Sequence, residues 1–187
     1  RRRITPQSVE FFELGIDREY GYAVFPVKDK SGETRMLFKR SLEGKRFYNT
    51  SGAKKDDILF GLDKIYTNLM HYRNAQQVWV VESIIDAILL WQRGYLAVAM
   101  LQAIPTTQQM ELLNNLPFPE IIIATDNDEA GLRGRKEMIK SLDKQLYVVA
   151  YPSADIKDIG DYQEEDMILI EKVQKPKQRN YKGLPLG

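Results

Sequence analysis

Two stretches of this sequence place acidic side chains where an apolar run ends. Ile121-Ile122-Ile123-Ala124 leads into Thr125-Asp126-Asn127-Asp128-Glu129-Ala130-Gly131, and Val78-Trp79-Val80-Val81 leads into Glu82, with Asp86 four positions beyond it. Carboxylates gathered in one place raise one another's pKa, so a group of them is costly unless a cation neutralises it. Hard divalent ions such as Mg2+ or Mn2+ take oxygen ligands, and a few carboxylates with waters and substrate phosphates suit them. An ion held in this way can align and neutralise a phosphoryl group during in-line transfer. Each residue also has a plainer reading. Asp128 and Glu129 suit the first turn of a helix, where negative charge meets the helix dipole, and Glu82 can simply end a strand. For Glu129 the plainer reading is preferred. For the pair Asp126 and Asp128, a short and common string by itself, the addition of Glu82 and Asp86 favours the metal reading.

Such residues need elements to position them. Residues 77–82 read as a strand, and 83–94 as a helix with apolar Ile84, Ile85, Ile88, Leu89 and Trp91. A strand over 96–100, a helix over 106–116, a strand over 120–125, a helix over 129–142 and a strand over 145–151 follow, with a last helix expected over 161–173. Strands separated by helices imply parallel βαβ crossovers and a sheet covered on both faces. In such sheets ligand groups gather at the carboxyl ends of the strands, where Glu82 and Asp126 fall. Asp86 lies one helical turn beyond Glu82 on the same face. The first part of the chain is less regular. A brief helix over 8–15 ended by Gly15, a hairpin of strands 22–27 and 34–40 turning at Lys30-Ser31-Gly32-Glu33, and a third strand over 44–49 are expected.

The bulk numbers limit the alternatives. The 187 residues are 43 % hydrophobic and 28 % charged, as in a globular protein able to bury a core. The net charge of +1 argues against a generally polycationic coat for nucleic acid, while leaving room for separate basic and acidic patches. With no cysteine, disulfides and thiolate zinc sites are excluded, and a reducing cytoplasm is the natural expectation. No apolar run approaches the ~18 residues of a membrane span. His71 is the only histidine, which makes histidine-dependent triads and multi-histidine zinc sites poor options. It is read as an ordinary, partly exposed residue, and Trp79 and Trp91 as core. The chain starts without methionine, which suggests a piece of something longer.

Val81-Glu82-Ser83-Ile84-Ile85-Asp86, followed by Ala124-Thr125-Asp126-Asn127-Asp128-Glu129-Ala130-Gly131, resembles the Toprim domain of primases, topoisomerases and some nucleases. The variant is similar to that of bacterial and phage primases, with their Glu-Gly-x-x-Asp and Asp-Gly-Asp-x-Ala-Gly motifs. Phe38-Lys39-Arg40, Arg46 through Gly52 and Leu59-Phe60-Gly61-Leu62 resemble, more loosely, the region ahead of Toprim in those polymerases. The resemblance implies an α/β fold: a Toprim-like, Rossmann-type parallel sheet flanked by helices, after a small mixed α+β subdomain. The expected division is 1–74 for a basic subdomain, 75–173 for the catalytic one and 174–187 for a flexible tail. It implies acid/base or metal chemistry for Glu82, and metal binding for Asp126 and Asp128, with Asp86 nearby. Two glycines of the pattern are replaced, by Ser83 and Asn127. The third acidic motif stands as Lys157-Asp158-Ile159-Gly160-Asp161, in which Asp158 aligns and the role of Asp161 is open.

Lys39, Arg40, Lys45, Arg46, Lys54 and Lys55 fall close together with Phe38, Phe47 and Tyr48. Cations bind phosphates and aromatic rings stack on bases, although lysines on a hairpin also serve solvation and edge protection. The resemblance turns the cluster towards template and nucleotide binding, with Lys54 and Lys55 as triphosphate contacts. Arg133 and Arg135 are read as solvent charges. The resemblance as a whole implies a primase core joining ribonucleoside triphosphates on single-stranded DNA with Mg2+ or Mn2+, in a bacterium, phage or mobile element. A replicative helicase and a zinc-binding module, the latter absent from this cysteine-free chain, are the implied partners, and no membrane is involved. A Toprim nuclease using the same carboxylates, and a non-catalytic DNA-binding or replisome-docking module, are the competing readings.

Overall fold

A computed structural model describes residues 4–43, 46–49, 55–163 and 166–174. The chain opens with α1 (Pro6–Phe11), capped by the Thr5 side chain with proline in its first turn. An antiparallel sheet follows, made of β1 (Gly15–Asp17), β2 (Tyr22–Lys28), β3 (Thr34–Ser41) and β4 (Phe47–Asn49) in that order. The expected hairpin is β2 and β3, paired from Tyr22↔Ser41 to Lys28↔Thr34. The expected helix over 8–15 needs correction. It stops at Phe11, Glu13 takes a positive φ of 55°, and Gly15 pairs with Val24 in β1 rather than ending a helix. The backbone of β2 is an open edge there, and pairing with it outweighs another helical turn.

The second sheet contains β5 (Gln77–Val81), β6 (Ala97–Ala99), β7 (Glu120–Ile123), β8 (Gln145–Val149) and β9 (Ile170–Lys172), in the order β6-β5-β7-β8-β9. The first four are parallel and β9 is antiparallel to β8. Three helices make the crossovers: α3 (Ile84–Gln92), α4 (Thr107–Asn114) and α5 (Glu129–Ser141). A short α2 (Leu62–Thr67) precedes them, and Phe60 bridges Ala99 at the β6 edge. Among the described residues the last helix expected over 161–173 is absent. A 3-10 turn covers Ile159–Asp161, and Val149 pairs with Ile170 where the helix was expected. The apolar residues of Met167-Ile168-Leu169-Ile170 fit either period, and the unpaired edge of β8 decides for a strand.

Alternation in the central strands divides the core into two layers. Trp79, Val81, Ile122 and Ala124 face one side, with Ile84 and Ile88 of α3 and with Phe12, Phe25, Val27 and Met36 of the N-terminal elements. Val78, Val80, Ile121 and Ile123 face the other, with Leu62 and Ile65 of α2, Leu113 of α4 and Met138 of α5. The antiparallel sheet thus shares a core with one face of the parallel sheet, while the other face is closed by α2, α4 and α5. Trp79 is in the core as expected, and Trp91 packs against both layers and donates its Nε1–H to Ala97 O at 2.8 Å.

Candidate active site

The chain leaves β5 through α3 to β6, then crosses back over β5 to reach β7. The order of the sheet therefore reverses between β5 and β7, and the helices that follow them, α3 and α5, leave to opposite faces, the arrangement at which ligand crevices form in such sheets. Val80 pairs with Ile123, and Ala124 N–H donates to Val80 O at 2.9 Å, so the two strands run together almost to the acidic residues. Glu82 follows β5 directly. Asp126 follows β7 after Ala124 and the fully buried Thr125.

The two strand ends are tied by one short bond: Asp126 N–H donates to Glu82 Oε1 at 2.9 Å. Asp128 is the N-cap of α5, its Oδ1 accepting the Gly131 N–H at 2.9 Å. The helix-cap reading of Asp128 and its place beside the other carboxylates therefore hold together. Gly131 brings α5 against the site. A Cβ there would overlap the Asp126 carbonyl oxygen and lie 2.8 Å from Glu82 Oε1. Gly134, one turn on, meets the Ala103 carbonyl oxygen with the same lack of room. Glycine is required at both places for close approach, not for a left-handed backbone.

Electrostatics link the sequence-predicted carboxylates. Asp126 is pushed up to about 7, first by burial and then by Glu82, Asp86, Asp158 and Asp128. Burial also raises Glu82, the Asp126 N–H opposes this, and the Asp128 charge adds to it. Asp86 is buried in the first turn of α3. Glu129, by contrast, is exposed and paired with Arg133 at 2.7 Å, so the plainer reading of both residues holds. Among the described residues no three His, Asp or Glu side chains converge as a ready-made metal cage. The donor set, all oxygen and mutually repulsive, fits a hard divalent ion that keeps waters and meets phosphates in addition to one or two carboxylates.

The turn after β8 completes the site. Asn127 N–H donates to Lys157 O at 2.6 Å, and its Nδ2 donates to Ser153 O at 3.2 Å and Ile156 O at 3.1 Å. Asp161 Oδ2 accepts the Lys157 N–H at 2.8 Å, so this aspartate braces the turn that carries Asp158. Beneath Asp126, Tyr151 donates its hydroxyl to Thr125 O at 2.8 Å. Arg135 Nε–H reaches Thr125 Oγ1 at 3.4 Å, and burial lowers the pKa of its guanidinium. The solvent reading of Arg135 is thereby corrected: it lies on the α5 face that Gly131 and Gly134 bring close to the sheet. From the sequence Asn127 was marked only as the replacement of a motif glycine, with no role given to it, although a side-chain amide where the motif has glycine was the available signal.

The basic candidates divide. Alternation along β3 sends Lys39 and Arg40 to opposite faces. Arg40 shares the core-facing side with Met36 and Phe38 and stands over the Phe47 ring at 5.2 Å. Lys39 lies on the outer face, bound to Asp17 at 2.8 Å, with Tyr22 and Tyr48 packed edge to face nearby. Arg46 is exposed just before β4. Lys55 is half-buried, its carbonyl held by the Gln109 amide at 3.0 Å. Lys45 and Lys54 lie outside the described residues, as do residues 175–187 of the expected tail. His71 is exposed, as expected. No helix among the described residues is long and apolar enough to cross a membrane.

Residues 79–163 match the Toprim-like family model. The DNA primase of Deinococcus radiodurans is 32 % identical over 123 residues, 63 % of this chain and 21 % of that protein. The zinc-binding and RNA polymerase domains of Aquifex aeolicus primase superpose with a TM-score of 0.71 at 22 % identity, covering 85 % of this chain and 49 % of the other. The primase fragment of the bacteriophage T7 primase-helicase protein superposes at 0.66 with 21 % identity, over 85 % and 65 %. The chain thus spans less than two thirds of each of these relatives. Residues 79–163 are thus similar to the Toprim-like family, and the chain shares the fold of these primase fragments.

Proposed function

We propose that this chain is the catalytic core of a DNA primase, extending a short RNA on single-stranded DNA from ribonucleoside triphosphates. The observation that carries the reading is the meeting of the carboxyl ends of β5 and β7, where Glu82 accepts the Asp126 N–H and Glu82, Asp86, Asp158 and Asp128 all raise Asp126. Asp126 and Asp128, with Asp86 and Asp158 around them and Glu82 adjoining, would hold the divalent ion. When bound, Mg2+ or Mn2+ would supply positive charge for the phosphates of a triphosphate. Glu82, whose pKa burial raises, would receive the proton of the attacking 3′-hydroxyl. The Asp126 N–H fixes the Glu82 carboxyl for that task. Arg40, Arg46 and Lys55, with Lys39, Lys45 and Lys54, would supply cations for template and triphosphate. A replicative helicase and a separate zinc-binding module are proposed as partners, and a bacterial or phage setting as the context.

The test is primer synthesis from radiolabelled ribonucleotides on single-stranded DNA, with Mg2+, with Mn2+ and with chelator. Metal-dependent RNA oligomers are expected, with weak selectivity for the start site. Metal-dependent cleavage of the DNA without RNA products would replace this reading by the nuclease one. Full biological activity of Asp126→Asn/Asp128→Asn would leave only the docking module.

A further inference from the structure

The turn over residues 152–157 is mostly exposed and contributes few apolar side chains to the core. What docks it is polar. Asn127 donates three hydrogen bonds across it, from its backbone N–H to Lys157 O and from its amide to Ser153 O and Ile156 O. One residue of the Asp126–Asp128 turn thereby grips both ends of a segment that lies 26 to 30 positions further along the chain. Asp161 closes the same turn from its far side, through the Lys157 N–H. Asp158 is the next residue, and it is among the charges that act on Asp126. A glycine at position 127 would keep the backbone bond and lose both amide bonds, leaving two carbonyls without these donors.

We infer that Asn127 is a positioning residue, whose side-chain amide fixes the 153–157 turn and so sets Asp158 against Asp126. This rests on the reading of Asp126 and Asp158 as carboxylates of one metal site. Groups that orient ligands from behind commonly alter metal affinity by about 10- to 100-fold when removed, and a residue acting through a single ligand sits at the lower end.

The experiment is Mn2+ binding to the full chain by titration calorimetry, without nucleotide or DNA. It compares the unaltered protein with Asn127→Gly, Asp158→Ala, the double variant and Asp126→Asn. Asn127→Gly is expected to weaken Mn2+ binding about tenfold. The double variant should be no weaker than Asp158→Ala, because Asn127 has nothing left to position. Unchanged affinity in Asn127→Gly, or losses that simply multiply in the double variant, would overturn the inference. If Asp126→Asn also binds Mn2+ normally, the metal reading itself falls. If Asp126→Asn is weak and Asn127→Gly is not, only the role of Asn127 falls. Hydrogen–deuterium exchange gives an arm without metal: peptides covering 153–161 should exchange faster in Asn127→Gly, and those covering 77–81 should not. Equal exchange in the first region would sink the idea. Should Asn127→Gly fail to fold, Asn127→Ser, too short to reach both carbonyls, takes its place.

Discussion

At Asp126 folding and chemistry make opposite demands on one carboxyl. Burial and four neighbouring carboxylates move it from an ordinary 3.8 to about 7. The folded state therefore binds this proton more tightly than the unfolded state. Its contribution to stability is complete below about pH 4 and is lost as pH rises through about 7. Asp126→Asn, neutral throughout, is expected to raise the melting temperature at pH 8 by the equivalent of about 1–2 kcal/mol, and by progressively less towards pH 4. The same change should abolish metal-dependent primer synthesis. Thermal melts of both proteins across that pH range, with chelator present, check the first half. A lower Tm for the variant at pH 8 would show that the carboxylate is stabilised by something other than the groups described. The individual carboxylates were legible from residue type and spacing. Their gathering at one sheet edge was expected on the condition that β5 and β7 be neighbours, and only the tertiary structure meets that condition.

Among the elements, α4 shows how a buried amide can do what sequence periodicity does not reveal. Gln109 is fully buried and completes a capping box with Thr106. Its Nε2 is shared among Lys55 O, Ile58 O and Met100 O, at 3.0, 3.0 and 2.8 Å. Its Oε1 accepts from Thr106 N–H and the Gln102 amide. One side chain therefore joins α4, the end of β6 and the segment carrying Lys55. Gln109→Leu keeps the volume and leaves buried carbonyls without a donor, an expected loss of about 2–4 kcal/mol. Urea denaturation should show a lower midpoint at an unchanged m-value. The 83–94, 106–116 and 129–142 helices were readable because their apolar spacing and caps agree. The segment 161–173 misled because a short apolar run fits either period, and only the free edge of β8 settles it.

For the molecule as a whole, the joint between the antiparallel sheet and the segment beside the parallel sheet includes a charged clasp. Glu13 binds Lys28 of β2 at 2.5 Å and Lys64 of α2 at 2.9 Å. The hydrogen bonds from Lys28 and then Lys64 hold its carboxyl down, from 4.5 to about 2. A lowered carboxyl pKa contributes stability above the unfolded value, so the clasp acts in full above pH 4.5 and is lost as pH falls through about 2. Half-exposed Glu13 is screened by solvent, so Glu13→Gln should cost only up to about 1 kcal/mol at pH 7. The difference between the two proteins should shrink with added salt and with acid below pH 4.5. A difference that survives both would assign the effect to packing rather than charge.

The sequence by itself determined the parallel α/β class, the hairpin, and the ends of β5 and β7 as the places where Glu82 and Asp126 stand. These are local matters: periodicity, caps and the point at which an apolar run stops. The tertiary structure alone decided that β7 returns to the side of β5 opposite β6, which makes four separate carboxylates act on Asp126. It also decided that Lys39 and Arg40, adjacent in sequence, face opposite ways, and that Asn127 reaches a turn 26 residues away. Strand order and loop docking depend on contacts between residues far apart in the chain, and no window along one sequence contains them.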